Sequence, residues 1–466
     1  TNQYVSYPQN PLEPGIMNPD IFREYDIRGV VDKDFTEQDV VLIGKAFGTY
    51  LRGKNRSSIT VGRDCRLSSE NYQHLLIKGL LATGCDVVDI GICPTPVLYF
   101  SIRHLKKDGG VIVTASHNPP EFNGFKLCCG YDTLFGEQIQ NVRRIIENGS
   151  FAGGSGNTET ADVISPYREF FGDNVKLARP LRVGIDAGNG TAGVIAVPII
   201  RNLDCEVFDL HCEMDGHFPN HEPDPTVIEN MQDLIKLVRE KDLDVGIGYD
   251  GDGDRIGVID EKGDIIWGDQ LMIIFARDIL SRKPGSTFIS EVKCSQVLYD
   301  DIERRGGRAI MWKTGHSLIK QKMKEVKAEL AGEMSGHMFF ADRYFGYDDA
   351  IYASCRLLEI LAATGKTITD LLSDVPRTYT TPEIRVACPD DKKFHVVEEL
   401  TEYFRQRYDI IDIDGARIIF EDGWGLVRAS NTQPVLVLRF EALSQLRLSE
   451  IRSLVESALT EVRKRY

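Results

Sequence analysis

Short apolar runs that stop abruptly at loops of Gly, Asp, Ser and Asn recur along this chain. Residues 58–61 end at Gly62-Arg63-Asp64, 86–92 at Cys93-Pro94-Thr95-Pro96, and 110–113 at Thr114. Residues 181–185 run into Asp186-Ala187-Gly188-Asn189-Gly190-Thr191, and 245–249 into Asp250-Gly251-Asp252-Gly253-Asp254. Strands are also predicted over 287–292 and 309–312, and helical spacing of apolar residues predicts helices over 36–51, 69–83 and 350–363. Apolar strands alternating with helices build α/β units around mostly parallel sheets, where chemistry collects at the carboxyl ends of strands. The pattern returns in three successive segments, as three copies of one α/β unit would give.

A chain of 466 residues has room for three or four domains. Two linkers are predicted, the Gly/Ser-rich stretch 149–157, read as a hinge, and 376–382. The expected division is a lead-in over 1–20, α/β domains over 21–160, 161–265 and 266–376, and a smaller α+β domain over 377–466. The formal charge of −15 argues against nucleic acid or an anionic membrane as a partner. An anionic small substrate would need a local basic cluster built against that field. No apolar run reaches the ~20 residues of a membrane span, and residues 1–15 lack the apolar core of a signal peptide. The ten cysteines show no metal-binding spacing and read as buried thiols, which predicts a reducing cytoplasm.

Four loops carry candidate chemistry. In Thr114-Ala115-Ser116-His117-Asn118-Pro119-Pro120 a serine beside a histidine follows a buried strand; residue types alone also fit a plain turn. A serine hydrolase is the rival reading, but the G-x-S-x-G elbow is absent. In Asp250-Gly251-Asp252-Gly253-Asp254-Arg255 an extended loop would point three carboxylates the same way, and they repel unless a cation lies between them. An EF-hand is rejected because Arg255 stands where its turn needs Gly and both flanks are strand-like. Few ligands, all carboxylate, suit Mg²⁺, with Arg255 as a phosphate clamp or a surface ion-pair partner. In Gly332-Glu333-Met334-Ser335-Gly336-His337 an extended loop would put Glu333, Ser335 and His337 on one side for a polyhydroxylated ligand; a Gly-bounded turn is the alternative. In Arg428-Ala429-Ser430-Asn431-Thr432 one Arg and three small polar side chains suit phosphate, or a hairpin connection.

Taken with Phe22-Arg23-Glu24-Tyr25-Asp26-Ile27-Arg28-Gly29, these segments resemble the α-D-phosphohexomutase family over nearly the whole chain, in its bacterial phosphomannomutase/phosphoglucomutase group. The resemblance implies three related α/β domains and a C-terminal α+β domain around a central cleft. It implies that Ser116 is the active phosphoserine. Asp250, Asp252 and Asp254 would hold one Mg²⁺ whose shell the Ser116 phosphate completes. By the same resemblance Glu333, Ser335 and His337 read the sugar, and Arg428, Ser430, Asn431 and Thr432 hold the distal phosphate. Tyr25, Arg28, His117, Lys126, Arg255, Lys293 and His316 would line the cleft, His316 within a loop that reads sugar orientation.

The implied reaction is reversible phosphate transfer between the 6- and 1-hydroxyls of mannose or glucose through a 1,6-bisphosphate that turns around in the cleft, with glucose 1,6-bisphosphate as activator. Arg28, Arg255 and Lys126 would stabilise the transferring group. Lys126 and His337 are the expected acid and base, Lys126 acting as base only if burial and neighbouring arginines lower its pKa. Contacts to the 3- and 4-hydroxyls would survive the turn and admit both hexoses. The Met334 and Gly336-His337 form of the sugar loop resembles the mannose/glucose group; phosphoglucosamine mutase is the alternative within the family. Hexose phosphates are the expected partners, the chain being a monomer or weak homodimer.

Overall fold

The computed structural model describes residues 17–431 and 433–465. Most of the lead-in expected over 1–20 therefore lies outside the described residues; its end is a single turn, Pro19–Ile21, capped by Asn18. Four sheets succeed one another along the chain.

In the first, Ser58–Arg63 lies between Asp86–Ile92 and Gly109–Val113, all parallel. Phe122–Cys129 then returns antiparallel beside Gly109–Val113, and Ile27–Val30 pairs antiparallel on its far side. In the second, Val245–Tyr249, Arg182–Asp186 and Glu206–Leu210 run parallel, and Ile256–Ile259 folds back antiparallel on Val245–Tyr249. In the third, Thr287–Glu291 lies parallel to Arg308–Trp312 and Leu330–Gly332, and Met338–Phe340 folds back on Leu330–Gly332. Each unit thus ends its parallel run with an antiparallel return strand. The turn between them holds Ser116 in the first unit, the aspartates in the second and Glu333 to His337 in the third. The fourth sheet is antiparallel, with Gly423–Ala429 paired to Val435–Ala442 and the helices Lys393–Arg405 and Gln445–Arg463 packed on it. This is the expected fold class: three mixed α/β units and a terminal α+β unit.

Burial explains the apolar runs. Gly109–Val113 and Val245–Tyr249 are buried at every residue, as strands covered on both faces must be. One apolar core joins the first three units, running from Val88 and Val97 through Ile185 and Ile247 to Leu357 and Ile368. The helix Thr95–His104 lies in this core and is buried from Thr95 to Ile102. The last unit has its own core. A small cluster of Val292, Trp424 and Leu426 joins it to the third unit, with Arg417 donating to the Val292 and Cys294 carbonyls at 2.7 and 2.8 Å.

Both linker readings need correction. The stretch 149–157 is tied to the first unit rather than free: Gly154 N and Gly156 N donate to the Ala82 and Leu81 carbonyls at 3.1 and 2.9 Å. It leads into Thr158–Thr160, which adds a parallel edge strand to the first sheet. Within 376–382, Tyr379–Thr380 already pairs with Val435–Ala442 of the last sheet.

Candidate active site

The serine turn is built under strain. Ser116 adopts φ +52°, a left-handed conformation costly for any residue with a Cβ. Thr114 Oγ1 accepts from Ser116 N at 2.9 Å. The fully buried Arg66 donates to four carbonyls of the turn: Ser116 (2.8 Å), Asn118 (2.5 Å), Pro119 (2.6 Å) and Phe122 (3.1 Å). Arg66 is itself fixed by Asp64 at 3.1 Å. The outcome is a nearly buried hydroxyl that donates to Asp250 Oδ2 at 2.8 Å and lies 3.1 Å from His117 Nδ1. Gly251 allows this approach, since a Cβ there would come within 2.4 Å of the Ser116 carbonyl.

The aspartates converge, but not on an extended strand. Gly253 N donates to the Asp250 carbonyl at 3.1 Å, and Gly253 takes φ +71°, so the loop curls. Asp250 Oδ1 accepts from the backbone N–H of Asp254 and Arg255 at 3.0 and 3.1 Å. All three carboxylates have no exposed surface, which rules out an acidic surface turn. They offer oxygens within 4.8 Å of one another, and Oδ1 of both Asp252 and Asp254 is buried without a hydrogen-bond partner. That donor set fits a hard divalent cation.

Lys126 comes from the return strand Phe122–Cys129. Its ammonium pairs with Asp252 at 2.6 Å and with Asp254. Burial alone would lower its pKa, but the two carboxylates prevail and raise it. The expectation of a lysine base is therefore corrected: its neighbours are carboxylates, not arginines, and they hold it protonated. Asp250, by contrast, is pushed well up by burial and by the charges of Asp254 and Asp252. His117 is held well below the ordinary imidazole value by burial and by Arg255, and His316 by burial and Lys320. Both rings are therefore neutral near pH 7.

The Glu333–His337 segment is also a turn and not an extended loop. Gly336 N donates to the Glu333 carbonyl at 3.0 Å, and Glu333 N to the His337 carbonyl at 2.9 Å. Glu333 and His337 are buried, whereas Ser335 is half-exposed. Glu333 accepts from Gly315 N at 2.7 Å; burial, then Glu291, raises its pKa against the pull of His337 and Lys293. His337 pairs its backbone with Arg255, and its Nε2 accepts from Arg255 Nε at 3.0 Å. The ring proton then belongs on Nδ1, 3.1 Å from Asp348 Oδ2.

The remaining expected residues divide. Arg28 holds Asn118 of the serine turn at 2.5 Å. Tyr25 OH donates to the Thr314 carbonyl at 2.9 Å and accepts from Asn431 Nδ2 at 3.1 Å, so one side chain of the first unit touches the third and the fourth. Its ring lies 5.6 Å from that of His316, which stacks on His337 at 5.7 Å. Lys293 pairs with Glu383 of the last unit at 3.3 Å. Arg428 stands on the strand Gly423–Ala429 rather than in a loop, paired with Asp414 at 3.0 Å. Asp414 also accepts from Thr314 N at 3.0 Å. Ser430 Oγ accepts from Gln433 N at 3.2 Å, and Thr432 lies outside the described residues.

Sequence reading missed several buried groups at this site. Thr95 Oγ1 donates to Asp252 at 2.5 Å. Asp348 gathers Lys320 (3.1 Å), His337 and His316 (3.9 Å). Burial would raise its pKa, but Lys320 first and then His337 hold it well down. Only the pair Asp348-Asp349 ahead of an apolar helix hinted at it, and that pattern also describes an ordinary helix start, which Asp349 provides.

Domain patterns I, II, III and IV of phosphoglucomutase/phosphomannomutase match residues 19–153, 165–263, 267–379 and 383–458. The chain belongs to the phosphoglucomutase/phosphomannomutase family. It is a phosphohexomutase. It is 47% identical over 443 residues to a phosphomannomutase/phosphoglucomutase of Pseudomonas aeruginosa, covering 95% of this chain and 96% of that protein. It is 44% identical over 439 residues to a phosphoglucomutase of Neisseria gonorrhoeae, covering 93% and 95%. Among solved structures, a phosphoglucomutase/phosphomannomutase family protein of Burkholderia thailandensis superposes with a TM-score of 0.92 at 41% identity, covering 96% of this chain and 98% of that one. No helix among the described residues is long and apolar enough to cross a membrane.

Proposed function

We propose that this phosphohexomutase interconverts the 6- and 1-phosphates of glucose and mannose, with Ser116 as the residue that carries the phosphate. The observation that carries this reading is the buried contact of Ser116 Oγ with Asp250, ringed by Lys126, Arg255 and His117. Asp250, Asp252, Asp254 and an oxygen on Ser116 would hold Mg²⁺, which would offset charge between two phosphates and act as a Lewis acid. Phosphoryl transfer is mostly positioning and charge stabilisation. Here that work falls to protonated Lys126, to Arg28, which holds Asn118 of the serine turn, and to Arg255. In the forward half-reaction the P–O bond to Ser116 breaks as one forms to the sugar hydroxyl. The hydroxyl proton passes to a base, for which His337 is the candidate; its Nε2 accepts from Arg255 at 3.0 Å and would exchange that contact for the sugar hydroxyl. Lys126, held protonated by Asp252 and Asp254, would supply the proton to the departing serine oxygen.

Arg428, Ser430, Asn431 and Thr432 would hold the phosphate that is not reacting, using remote binding energy to orient the reacting hydroxyl. Glu333, Ser335 and His337 would read hydroxyls that keep their places when the 1,6-bisphosphate turns, with glucose 1,6-bisphosphate as the activator. We place the domain boundaries at 21–160, 161–265, 266–376 and 377–466. The enzyme is taken to work in the cytoplasm without nucleic acid or membrane, as a monomer or weak homodimer; its ten free cysteines suit a reducing compartment.

Intact mass spectrometry with peptide mapping tests the reading. One adduct of about 80 Da, the mass of an added phosphate, is expected on Ser116 and not on a folded Ser116→Ala variant that has lost turnover. Normal turnover in that variant refutes the covalent role. A substrate panel in which only glucosamine phosphates react refutes the hexose assignment.

A further inference from the structure

The motif Asp186-Ala187-Gly188-Asn189-Gly190-Thr191 takes no part in the mechanism above, yet its aspartate is buried at the carboxyl end of the strand Arg182–Asp186. Two histidines from separate segments close on it. His221 Nε2 lies 3.2 and 3.1 Å from the two carboxylate oxygens of Asp186. His211 follows the strand Glu206–Leu210, and its ring meets that of His221 edge-on at 5.4 Å. One ligand atom from each of the three residues lies within 4.8 Å of the other two.

Three features distinguish this cluster from a plain ion pair. First, His211 Nε2 is buried and makes no hydrogen bond; Asp233 Oδ2, 3.5 Å away, is its nearest carboxylate partner. Second, the outer contacts already orient the ligands. His221 Nδ1 donates to the Glu222 carbonyl at 2.8 Å, which orients the ring so that Nε2 faces Asp186; that carboxylate raises the imidazole's pKa against burial, so an ion would take the place of the proton they share. Asp186 Oδ1 accepts from Gly188 N at 2.9 Å. A ligating imidazole characteristically uses its other nitrogen in this way. Third, His211 lines a cavity of about 510 Å³ with Asn189, Asn220 and Glu213, which brings solvent to one side of the cluster, Asp186 and His221 lying behind it. The neighbouring Cys212 does not compete, because burial pushes its thiol up to about 12 and its sulfur donates to the Leu210 carbonyl at 3.2 Å.

We propose that Asp186, His211 and His221 form a second metal site, separate from the aspartate loop and suited to a transition metal such as Zn²⁺. Two imidazoles and one carboxylate favour Zn²⁺ or Co²⁺ over Mg²⁺, which prefers all-oxygen ligands. A fourth position remains for water or Asp233. The ion would tie together the turn after Asp186, the residue after Leu210 and the segment that carries Pro223. The Pro223 carbonyl accepts from Gly251 N at 3.1 Å, so the site braces the aspartate loop from behind. It would act on stability and not in phosphate transfer.

Co²⁺ titration of the full-length enzyme in saturating Mg²⁺ tests this through visible absorption. One equivalent of Co²⁺ with the strong bands of nitrogen-ligated, low-coordinate cobalt is expected, bleached by Zn²⁺, and Zn²⁺ should raise Tm. His211→Ala should lower Co²⁺ affinity by roughly 100-fold or more while keeping the wild-type far-ultraviolet circular dichroism. His221→Gln serves as a second variant should the first fail to fold. Asp254, His337 and Asp348 form another cluster containing an imidazole, so bands that survive in either folded variant belong there and overturn the proposal. Folded wild type that shows no such bands overturns it as well.

Discussion

Replacing Arg66 tests whether the strained serine is held by the turn around it. The guanidinium makes four hydrogen bonds to carbonyls of that turn and one to Asp64; those to Ser116 and Asp64 are buried and the other three half-buried. In Arg66→Lys the charge survives, but three donors must serve five acceptors, so at least two acceptors lose their partner. Each buried unsatisfied group costs roughly 1–3 kcal/mol, which predicts about 2–6 kcal/mol of lost stability, toward the low end for the half-buried carbonyls. The turn then relaxes the unfavourable φ of Ser116, a strain of about 1–3 kcal/mol, and Ser116 Oγ leaves Asp250. Misplacement of a reacting atom by about 1 Å can cost roughly 100-fold in rate. The assay is kcat for hexose-phosphate interconversion beside thermal unfolding of the same sample. A variant with wild-type Tm and kcat within about threefold of wild type would show that the carbonyl clamp does not position the serine.

Other contacts give further expected outcomes. Gly315→Ala is expected to raise KM more than it lowers kcat, because Gly315 takes φ +130° and its new Cβ would lie 2.4 Å from the Tyr25 ring and hydroxyl; an unchanged KM would count against Tyr25 as a bridge. Asp348→Asn is expected to lower kcat by roughly 100-fold or more, the scale of a general acid–base contribution, with little change in KM; equal loss of both parameters would point to a damaged fold. Lys293 first, against the cost of burial, holds the Glu383 carboxyl down at about 2 from 4.5. A depressed carboxylate stabilises above its unfolded pKa, and that contribution fades as pH falls from 4.5 toward 2. It amounts to about 3 kcal/mol at most, at 1.36 kcal/mol per pKa unit. The Tm gap between wild type and Glu383→Gln should therefore be wide at neutral pH and close in acid; a constant gap would refute the pairing.

The loops were legible in the sequence because a strand buried on both faces must be apolar throughout, so its end stands out against Gly, Asp and Ser. The direction of the strand beyond each loop was not legible. Phe122–Cys129, Ile256–Ile259 and Met338–Phe340 are antiparallel returns, and nothing local separates them from another parallel strand. The convergence of the aspartates was anticipated for the wrong reason, since a curl at Gly253 brings it about, not an extended backbone. Lys126 shows why protonation could not be read from the chain: its partners stand at positions 252 and 254, brought near only by packing of the first unit on the second. Asp348 and Arg66 escaped for the same reason, each gathering groups distant in sequence.

The single apolar core shared by the first three units has a mechanical consequence. Sliding any of these units against its neighbours would expose side chains from Val97 through Ile247 to Leu357 at once, so the three resist moving independently. The last unit is attached by a small apolar cluster, by the buried bonds of Arg417 to the Val292 and Cys294 carbonyls, and by polar ties through Tyr25, Asp414 and Lys293. The last unit, whose sheet the chain enters at Tyr379, is therefore the part of the molecule whose displacement would expose the least apolar surface.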